Sequence, residues 1–154
     1  MEIREIQDGM EKAALCESIL RALPEWFGIE ESLLDYVEKV KKLPLWAAFA
    51  GEKAIGFAAF LEHSPYAGEV CVMGVRPEYH RKGVGRLLVG QCEAFARGKG
   101  MEFLTVKTLD SSREDVGYAK TREFYYAMGF RPLEVFPTLW DEANPCLLLA
   151  KYLG

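Results

Sequence analysis

The segment 75–89, VRPEYHRKGVGRLLV, concentrates cations and flexible backbone at one place in the chain. Its residues with anion-binding character are His80, Arg81, Lys82, Gly83, Gly85 and Arg86. The apolar pattern that follows predicts a helix, and the first N–H groups of a helix have no partners within it and lie at its positive end. Glycines let the backbone approach a ligand closely, and successive amides in such a turn form an anion-binding concavity. The segment therefore predicts a site for a small anion such as a pyrophosphate.

Two widespread phosphate-binding motifs do not describe this segment. A Walker loop needs GxxxxGK followed by Ser or Thr, which the chain lacks. A dinucleotide fingerprint needs GxGxxG, but Leu88 stands where the third glycine belongs. A plain strand-to-helix turn with solvated cations therefore stays open as an alternative interpretation.

The basic cluster is local, because the chain as a whole is acidic. Its 154 residues include 19 Lys and Arg against 23 Asp and Glu, for a formal net charge of -4. A general nucleic-acid-binding protein is more often basic overall, so we expect no nucleic-acid partner. The length fits a single domain, 1–154, that buries a core without metals or disulfides.

Neither a membrane span nor a metal site is predicted. No stretch is long and apolar enough to cross a bilayer, and the charged start MEIREIQDGM lacks the apolar run of a signal peptide. We therefore expect a cytoplasmic protein without a membrane partner. The cysteines are scattered without a CxxC pair: Cys16, Cys71, Cys92 and Cys146. They favour neither a zinc site nor a disulfide framework, and three of them lie in apolar patterns typical of a core.

The elements that must position the basic segment follow from hydrophobic periodicity and from glycine and proline breaks. Strands are predicted at 3–6, 45–50, 54–63, 69–75, 103–109, 130–136 and 146–153. Helices are predicted at 10–22, 30–42, 86–97 and 118–128. Strand–helix–strand units in the second half indicate an α/β fold with a partly parallel sheet and helices on both faces.

Two segments in order resemble the GNAT superfamily of N-acetyltransferases. VRPEYHRKGVGRLL (75–88) is similar to the family's coenzyme A loop, which reads Gln/Arg-x-x-Gly-x-Gly/Ala. REFYYAMGF (122–130) is similar to its Phe/Leu-Tyr-x-x-x-Gly-Phe segment. The predicted element order also matches the family. The resemblance implies a single-domain fold with a mixed, mostly antiparallel sheet, in which the strand before the loop splays from its parallel neighbour.

The resemblance also implies a ligand and site residues. The pantetheine arm of acetyl-CoA (coenzyme A) would bond to backbone groups near Met73 and Val75. The loop would hold the pyrophosphate with His80, Arg81, Lys82, Gly83, Val84, Gly85 and Arg86. Tyr125 corresponds to the family tyrosine that can protonate the departing thiolate, and Glu69 to a carboxylate that serves some members as base.

Two positions depart from the family pattern. His80 stands where Gln or Arg is usual, and we expect a small effect because the family makes that contact largely with backbone. Tyr118 stands where many members have an Asn that helps to bind the cofactor, so that contact is in question in this chain.

Each candidate catalytic residue has an ordinary structural alternative. Tyr125 can simply pack a helix against the sheet, as buried tyrosines often do. Glu69 can be a solvated strand end after the turn residues 64–68, which is the interpretation that the sequence favours. His63 can reach a site, but a lone histidine at the edge of a loop is more often polar surface.

The acceptor is a small-molecule or peptide amine that the sequence does not identify. The acceptor pocket is expected to draw on Trp26, Phe27, Tyr36, Phe136, Trp140 and Asp141. The function that we expect is direct transfer of an acetyl group from acetyl-CoA to a primary amine in a ternary complex. The alternatives are a non-catalytic coenzyme A-binding sensor or partner-binding module, and a nucleotide-binding protein that uses the same loop. A homodimer is an expectation from analogy with the family alone.

Overall fold

The structure is a computed structural model that describes all residues from 1 to 154. The helices are α1 (Gly9–Arg21), α2 (Glu30–Lys39), α3 (Val84–Gly98) and α4 (Val116–Ala127). The strands are β1 (Glu2–Glu5), β2 (Leu45–Ala50), β3 (Lys53–Ser64), β4 (Ala67–Val75), β5 (Phe103–Leu109), β6 (Arg131–Asp141) and β7 (Asn144–Tyr152). Short 3-10 turns follow α2 (Val40–Lys42) and β4 (Pro77–Tyr79). No helix is long and apolar enough to cross a membrane.

The seven strands are hydrogen-bonded in the order β1-β2-β3-β4-β5-β7-β6. The pairs β1–β2, β2–β3, β5–β7 and β6–β7 are antiparallel, whereas β4 and β5 pair in parallel from Ala67 opposite Phe103 to Glu69 opposite Thr105. The crossover from β4 to β5 contains α3, as a parallel connection requires. The predicted fold class is therefore confirmed: a mixed α/β chain whose sheet is mostly antiparallel and contains one parallel pair.

Most predicted elements agree with the structure to within a few residues, and the larger differences have local causes. α3 begins at Val84 instead of residue 86, because Val84 is buried and the first turn of a helix tolerates Gly85. The helix predicted at 30–42 ends at Lys39 and continues as a 3-10 turn. β6 runs on to Asp141 because its register against β7 shifts after Phe136, which hides the period-two pattern from the sequence.

The chain has two compact units, and the first comprises residues 1–61 and 70–95. Its core joins the apolar face of α1 to strands β2, β3 and β4. Gly74 in β4 lets α1 approach closely, because a Cβ there would lie 3.0 Å from Leu23 Cδ1 and 3.2 Å from Ile19 Cγ2. Gly56 in β3 does the same for the start of α3, since its Cβ would lie 3.2 Å from a methyl group of Val84. The contact at Gly56 packs the start of α3, the helix after the basic segment, against β3.

The second unit comprises residues 62–69 and 96–154. Strands β5, β7 and β6 pair in this order. Along β5, buried residues alternate with less buried ones, and Leu104 and Val106 are almost fully buried. Helix α4 begins after Asp115, whose carboxylate accepts a hydrogen bond from the Tyr118 amide at 3.0 Å. The buried Arg122 side chain donates to the Leu109 carbonyl at 2.6 Å, which joins α4 to the end of β5.

Candidate cofactor loop and candidate active site

The backbone of the basic segment is unusual in the turn before α3. Arg81 has φ 61°, and it is the one non-glycine residue of the chain with a positive φ; Gly83 follows at φ 82°. A side chain in this left-handed region costs roughly 1–2 kcal/mol, so the conformation at Arg81 is held against its local preference. Residues that alternate into the left-handed region turn successive N–H groups toward one concavity, which is the arrangement that binds anions.

The N-terminus of α3 differs from those of α1 and α4. Those two helices are capped by Asp8 and Asp115, whose carboxylates accept backbone N–H groups at 2.9 and 3.0 Å. α3 instead follows Gly83, whose carbonyl accepts the Leu87 amide at 3.2 Å. The three amides of residues 84–86 precede that first intrahelical bond and lie at the positive end of the helix dipole. The place that a carboxylate takes in α1 and α4 is therefore suited to an external anion in α3.

His80 holds the turn in shape. Its Nε2 lies 2.6 Å from the Val75 carbonyl oxygen, and because that oxygen can only accept, Nε2 carries the proton and donates. The imidazole also meets Trp26 edge to face at 5.8 Å. The residue that departs from the family pattern therefore ties the loop back to the end of β4.

The cations of the loop are available to a ligand. Arg81, Lys82 and Arg86 are exposed, and none has a carboxylate partner; Lys82 lies 5.5 Å from the ring centre of Tyr79. Arg76, by contrast, donates to the Ala54 carbonyl and the Ser18 hydroxyl, both at 2.8 Å, and is used to brace the end of β4.

The two residues predicted to contact the pantetheine arm, Met73 and Val75, are half-buried in the last part of β4. They alternate with the buried Val72 and Gly74, so their side chains lie on the opposite side of the strand. The Val75 carbonyl already accepts from His80, so a ligand bond there would use its second lone pair or the amide N–H.

Glu69 lies at the centre of a charged cluster in the second unit. Only 5% of the surface of Glu69 is exposed, and its Oε1 lies 2.6 Å from His63 Nε2 and 3.2 Å from Lys107 Nζ. Lys107 also reaches Oε2 at 3.4 Å. The register Glu69 opposite Thr105 puts Lys107, two residues further along β5, on the same face as the carboxylate.

The sequence interpretation of Glu69 as a solvated strand end is wrong. β4 begins at Ala67, inside the stretch taken for a turn, so Glu69 is the third strand residue and its carboxylate is enclosed. Burying a carboxylate is costly unless a cation and hydrogen bonds compensate it, and Lys107 and His63 do so here. Sequence reasoning missed Lys107; the alternating polar residues in FLTVKTL were the signal that one face of β5 is not core.

Tyr125 is buried in the second half of α4, with 6% of its surface exposed. Its ring meets Phe124 and Phe130 edge to face at 5.2 and 5.5 Å. Tyr118, about two helical turns earlier in the chain, has its pKa raised to about 12 by burial and by the nearby Asp115 carboxylate. Its phenol therefore stays protonated at neutral pH and can act only as a neutral donor or acceptor.

The candidate acceptor residues belong to both units of the chain. In the first unit Trp26 packs against His80, and Phe27 meets Tyr36 edge to face at 6.1 Å. In the second unit Phe136 is half-buried, while Trp140 and Asp141 are exposed at the end of β6. Trp26 thereby contacts the loop through His80.

The strand order and the glycine-containing turn before α3 define an α/β protein in which a basic turn leads into a helix N-terminus. The sequence pattern of the acetyltransferase (GNAT) family matches residues 12–130. An uncharacterized N-acetyltransferase from Chlorobaculum tepidum is 26% identical over 121 residues, which cover 77% of this chain and 70% of the relative. A GNAT-family acetyltransferase from Desulfovibrio desulfuricans superimposes over 99% of both chains with a TM-score of 0.82 at 16% identity. An aminoglycoside 6'-N-acetyltransferase in complex with coenzyme A superimposes over 100% of this chain and 98% of its own with a TM-score of 0.78 at 18% identity.

The chain belongs to the GNAT acetyltransferase family. The match spans α1 to the end of α4 and contains the loop and the Tyr125 segment. The family membership expected from the two motifs is thereby confirmed.

Proposed function

We propose that the protein transfers an acetyl group from acetyl-CoA to a primary amine, by direct transfer with both substrates bound. The observation that carries this proposal is the turn before α3, where Arg81 and Gly83 adopt positive φ and the helix starts without a carboxylate cap. A diphosphate with its two negative charges suits such a concavity. Family membership and a solved relative in complex with coenzyme A support the choice of ligand.

The residues present fit the diphosphate of coenzyme A. Backbone amides of the segment 81–86 would bind its oxygens, and the exposed Arg81, Lys82 and Arg86 would supply positive charge. Backbone groups of Met73 and Val75 would bind the pantetheine arm. Acetyl-CoA supplies the thioester, and the rest of the chemistry concerns protons and alignment.

Proton transfer is the task that remains for side chains. A lysine-type amine has a pKa of about 10.4, so it must lose a proton before it attacks the thioester carbonyl. The Glu69 cluster is the proposed base, because it contains a carboxylate and an imidazole in contact. Tyr125 is the proposed acid that gives a proton to the departing sulfur, as the family resemblance implies.

The acceptor is proposed to be a small-molecule or peptide amine, and the whole chain 1–154 to act as one catalytic domain. A non-catalytic coenzyme A-binding module is the second candidate. It is favoured by Tyr118, whose buried phenol stands at a position where the family often has an Asn that binds the cofactor.

A thermal-shift screen followed by a thiol-release assay tests the proposal. Coenzyme A or acetyl-CoA at about 100 times its Kd should stabilise the protein by roughly 2.7 kcal/mol, whereas ATP should not. Free thiol should then be released from acetyl-CoA in a panel of amines comprising kanamycin, spermidine and a lysine-containing peptide. Stabilisation without thiol release favours the non-catalytic module, stabilisation by ATP favours a nucleotide-binding protein, and no stabilisation by either form of coenzyme A contradicts the loop assignment.

A further inference from the structure

We infer that His63 is the base that accepts the proton of the amine, and that Glu69 and Lys107 are positioning residues for its imidazole. The inference rests on the proposed function and assigns roles within the charged cluster that Glu69, His63 and Lys107 form. It differs from the expectation that the carboxylate of Glu69 takes the proton itself.

The Glu69 carboxylate is poorly placed to receive a proton from a substrate. It is 5% exposed, and Oε1 already contacts both His63 and Lys107. Its second oxygen, Oε2, faces the same Lys107 ammonium at 3.4 Å. Both carboxylate oxygens therefore already have contacts within the cluster.

The imidazole of His63 has the opposite properties. Its side chain is 43% exposed, and its Nε2 contacts the buried carboxylate. The ionised carboxylate can only accept, so Nε2 carries a proton and donates to Glu69 Oε1 at 2.6 Å. In the neutral ring Nδ1 is then unprotonated and has a lone pair. A buried carboxylate that holds the tautomer and stabilises the imidazolium is the division of labour seen in His–Asp pairs of hydrolases.

Lys107 holds the carboxylate in place for the imidazole, because its Nζ lies 3.2 and 3.4 Å from the two carboxylate oxygens. Three side chains from neighbouring strands face His63 or its partners: Glu69 from β4, Lys107 from β5 and Cys146 from β7. Burial raises the pKa of the Cys146 thiol to about 11, so this thiol remains neutral. The adjacent Glu62 points to the opposite side of β3 and pairs with Lys99 at 3.5 Å.

These residues account for each proton that the reaction moves. The substrate ammonium gives one proton to Nδ1 of His63 and becomes a neutral amine. Its nitrogen forms the new bond to the acetyl carbon as the carbon–sulfur bond breaks. The second proton lost by the nitrogen goes to the departing sulfur, for which Tyr125 is the proposed carrier. The imidazolium, whose side chain is 43% exposed, returns its proton to solvent, so one proton is released for each amide formed.

The tautomer can be tested without any substrate, because the chain has only 2 histidines. Long-range proton–nitrogen correlation spectra of the wild-type protein, assigned with His63→Gln and His80→Gln, should show Nε2–H and a bare Nδ1 for neutral His63. Lys107→Met should lower the fraction of neutral His63 that carries its proton on Nε2, because the carboxylate loses the cation that holds it in place, and Lys107→Arg should restore that fraction. A proton on Nδ1 of neutral wild-type His63, or an unchanged fraction in Lys107→Met, would overturn the inference.

The catalytic role is tested by pH profiles with whichever amine of the kanamycin, spermidine and peptide panel is turned over. His63→Gln should lower kcat/KM by about 10²-fold, the lower range for acid–base catalysis, and should remove the acid limb of the profile. Glu62→Gln, a neighbour that faces away, should keep the wild-type profile. Stabilisation by coenzyme A should be unchanged in His63→Gln, Glu62→Gln and the two Lys107 variants, which separates failure of this inference from failure of the proposed function. If His63→Gln keeps wild-type turnover and the same acid limb, His63 is not the base. If no amine of the panel is turned over, the tautomer experiment decides whether the inference about the cluster stands.

Discussion

A negative charge placed at Gly83 should weaken coenzyme A binding much more than an equally bulky neutral residue. Gly83 has φ 82°, is exposed and precedes the first residue of α3, and a Cβ there would meet nothing within 4 Å. Asn and Asp have nearly the same shape, and both tolerate the left-handed region better than other residues. The comparison of Gly83→Asn with Gly83→Asp therefore isolates charge from bulk and from backbone strain.

The magnitude follows from Coulomb's law. Two unit charges 4 Å apart interact with about 1 kcal/mol in bulk water and with about 4 kcal/mol at an effective dielectric constant of 20. Because the turn is exposed, the lower value applies best, and each 1.4 kcal/mol is tenfold in Kd. We expect the Kd for coenzyme A to be about 5- to 10-fold higher in Gly83→Asp than in Gly83→Asn at low salt. The difference should shrink as salt rises, because ions screen exposed charges.

Gly100 provides a matched control. It has φ 78° and also has nothing within 4 Å of a Cβ position, so it shares the strain and the open space of Gly83. It follows the C-terminal end of α3, and the 15 residues of that helix span about 22 Å. Gly100→Asn and Gly100→Asp should lose similar stability, and they should bind coenzyme A with equal affinity.

The assay is isothermal titration of coenzyme A into the five proteins at two salt concentrations, with thermal melts of each. A left-handed side chain costs roughly 1–2 kcal/mol, and each kcal/mol lowers Tm by about 2–4 °C for a chain of this size. Equal Kd values for Gly83→Asn and Gly83→Asp at low salt would refute the assignment of a diphosphate to this turn. Equal charge effects at the two glycines would assign the difference to overall charge and contradict a local site.

Three further outcomes are expected. Tyr125→Phe should lower turnover by about 10²-fold without changing the thermal shift by coenzyme A, and unchanged turnover would remove its acid role. The fully buried Cys16 and Cys92, whose pKa values burial raises to about 12, should remain thiols at pH 8 and resist alkylation until the protein unfolds, which mass spectrometry checks. Gly74→Ala should destabilise by about 1–3 kcal/mol through overpacking, whereas Gly90→Ala, mid-helix with open space, should stabilise by up to about 1 kcal/mol; denaturant melts in the opposite order would contradict this packing argument.

The anion loop could be predicted because its parts are neighbours in the chain. A strand end, two glycines, several cations and a helix start all lie within residues 75–89. Local sequence therefore carries the turn chemistry and the helix dipole, and the structure adds only which residues take positive φ. The contact of His80 with the Val75 carbonyl spans five residues, and the family pattern, which has Gln or Arg at this position, does not predict it.

The Glu69 cluster could not be predicted, because strand pairing creates it. Glu69 and Lys107 are 38 residues apart and meet only in the parallel register of β4 with β5. A shift of that register by one residue would send Lys107 to the other face of the sheet. The start of β4 inside the apparent turn also converts Glu69 from a solvated residue to an enclosed one.

The sequence by itself determined the family, the order of helices and strands, and the chemistry of the turn before α3. These properties depend on residue types at fixed short spacings, which the chain carries whatever its fold. The tertiary structure alone decided that the Glu69 carboxylate is buried, that Lys107 and His63 contact it, and which ring nitrogen of His63 faces that carboxylate. Burial and charge compensation are properties of surfaces brought together by strand register, and register is settled by the packing of the whole sheet.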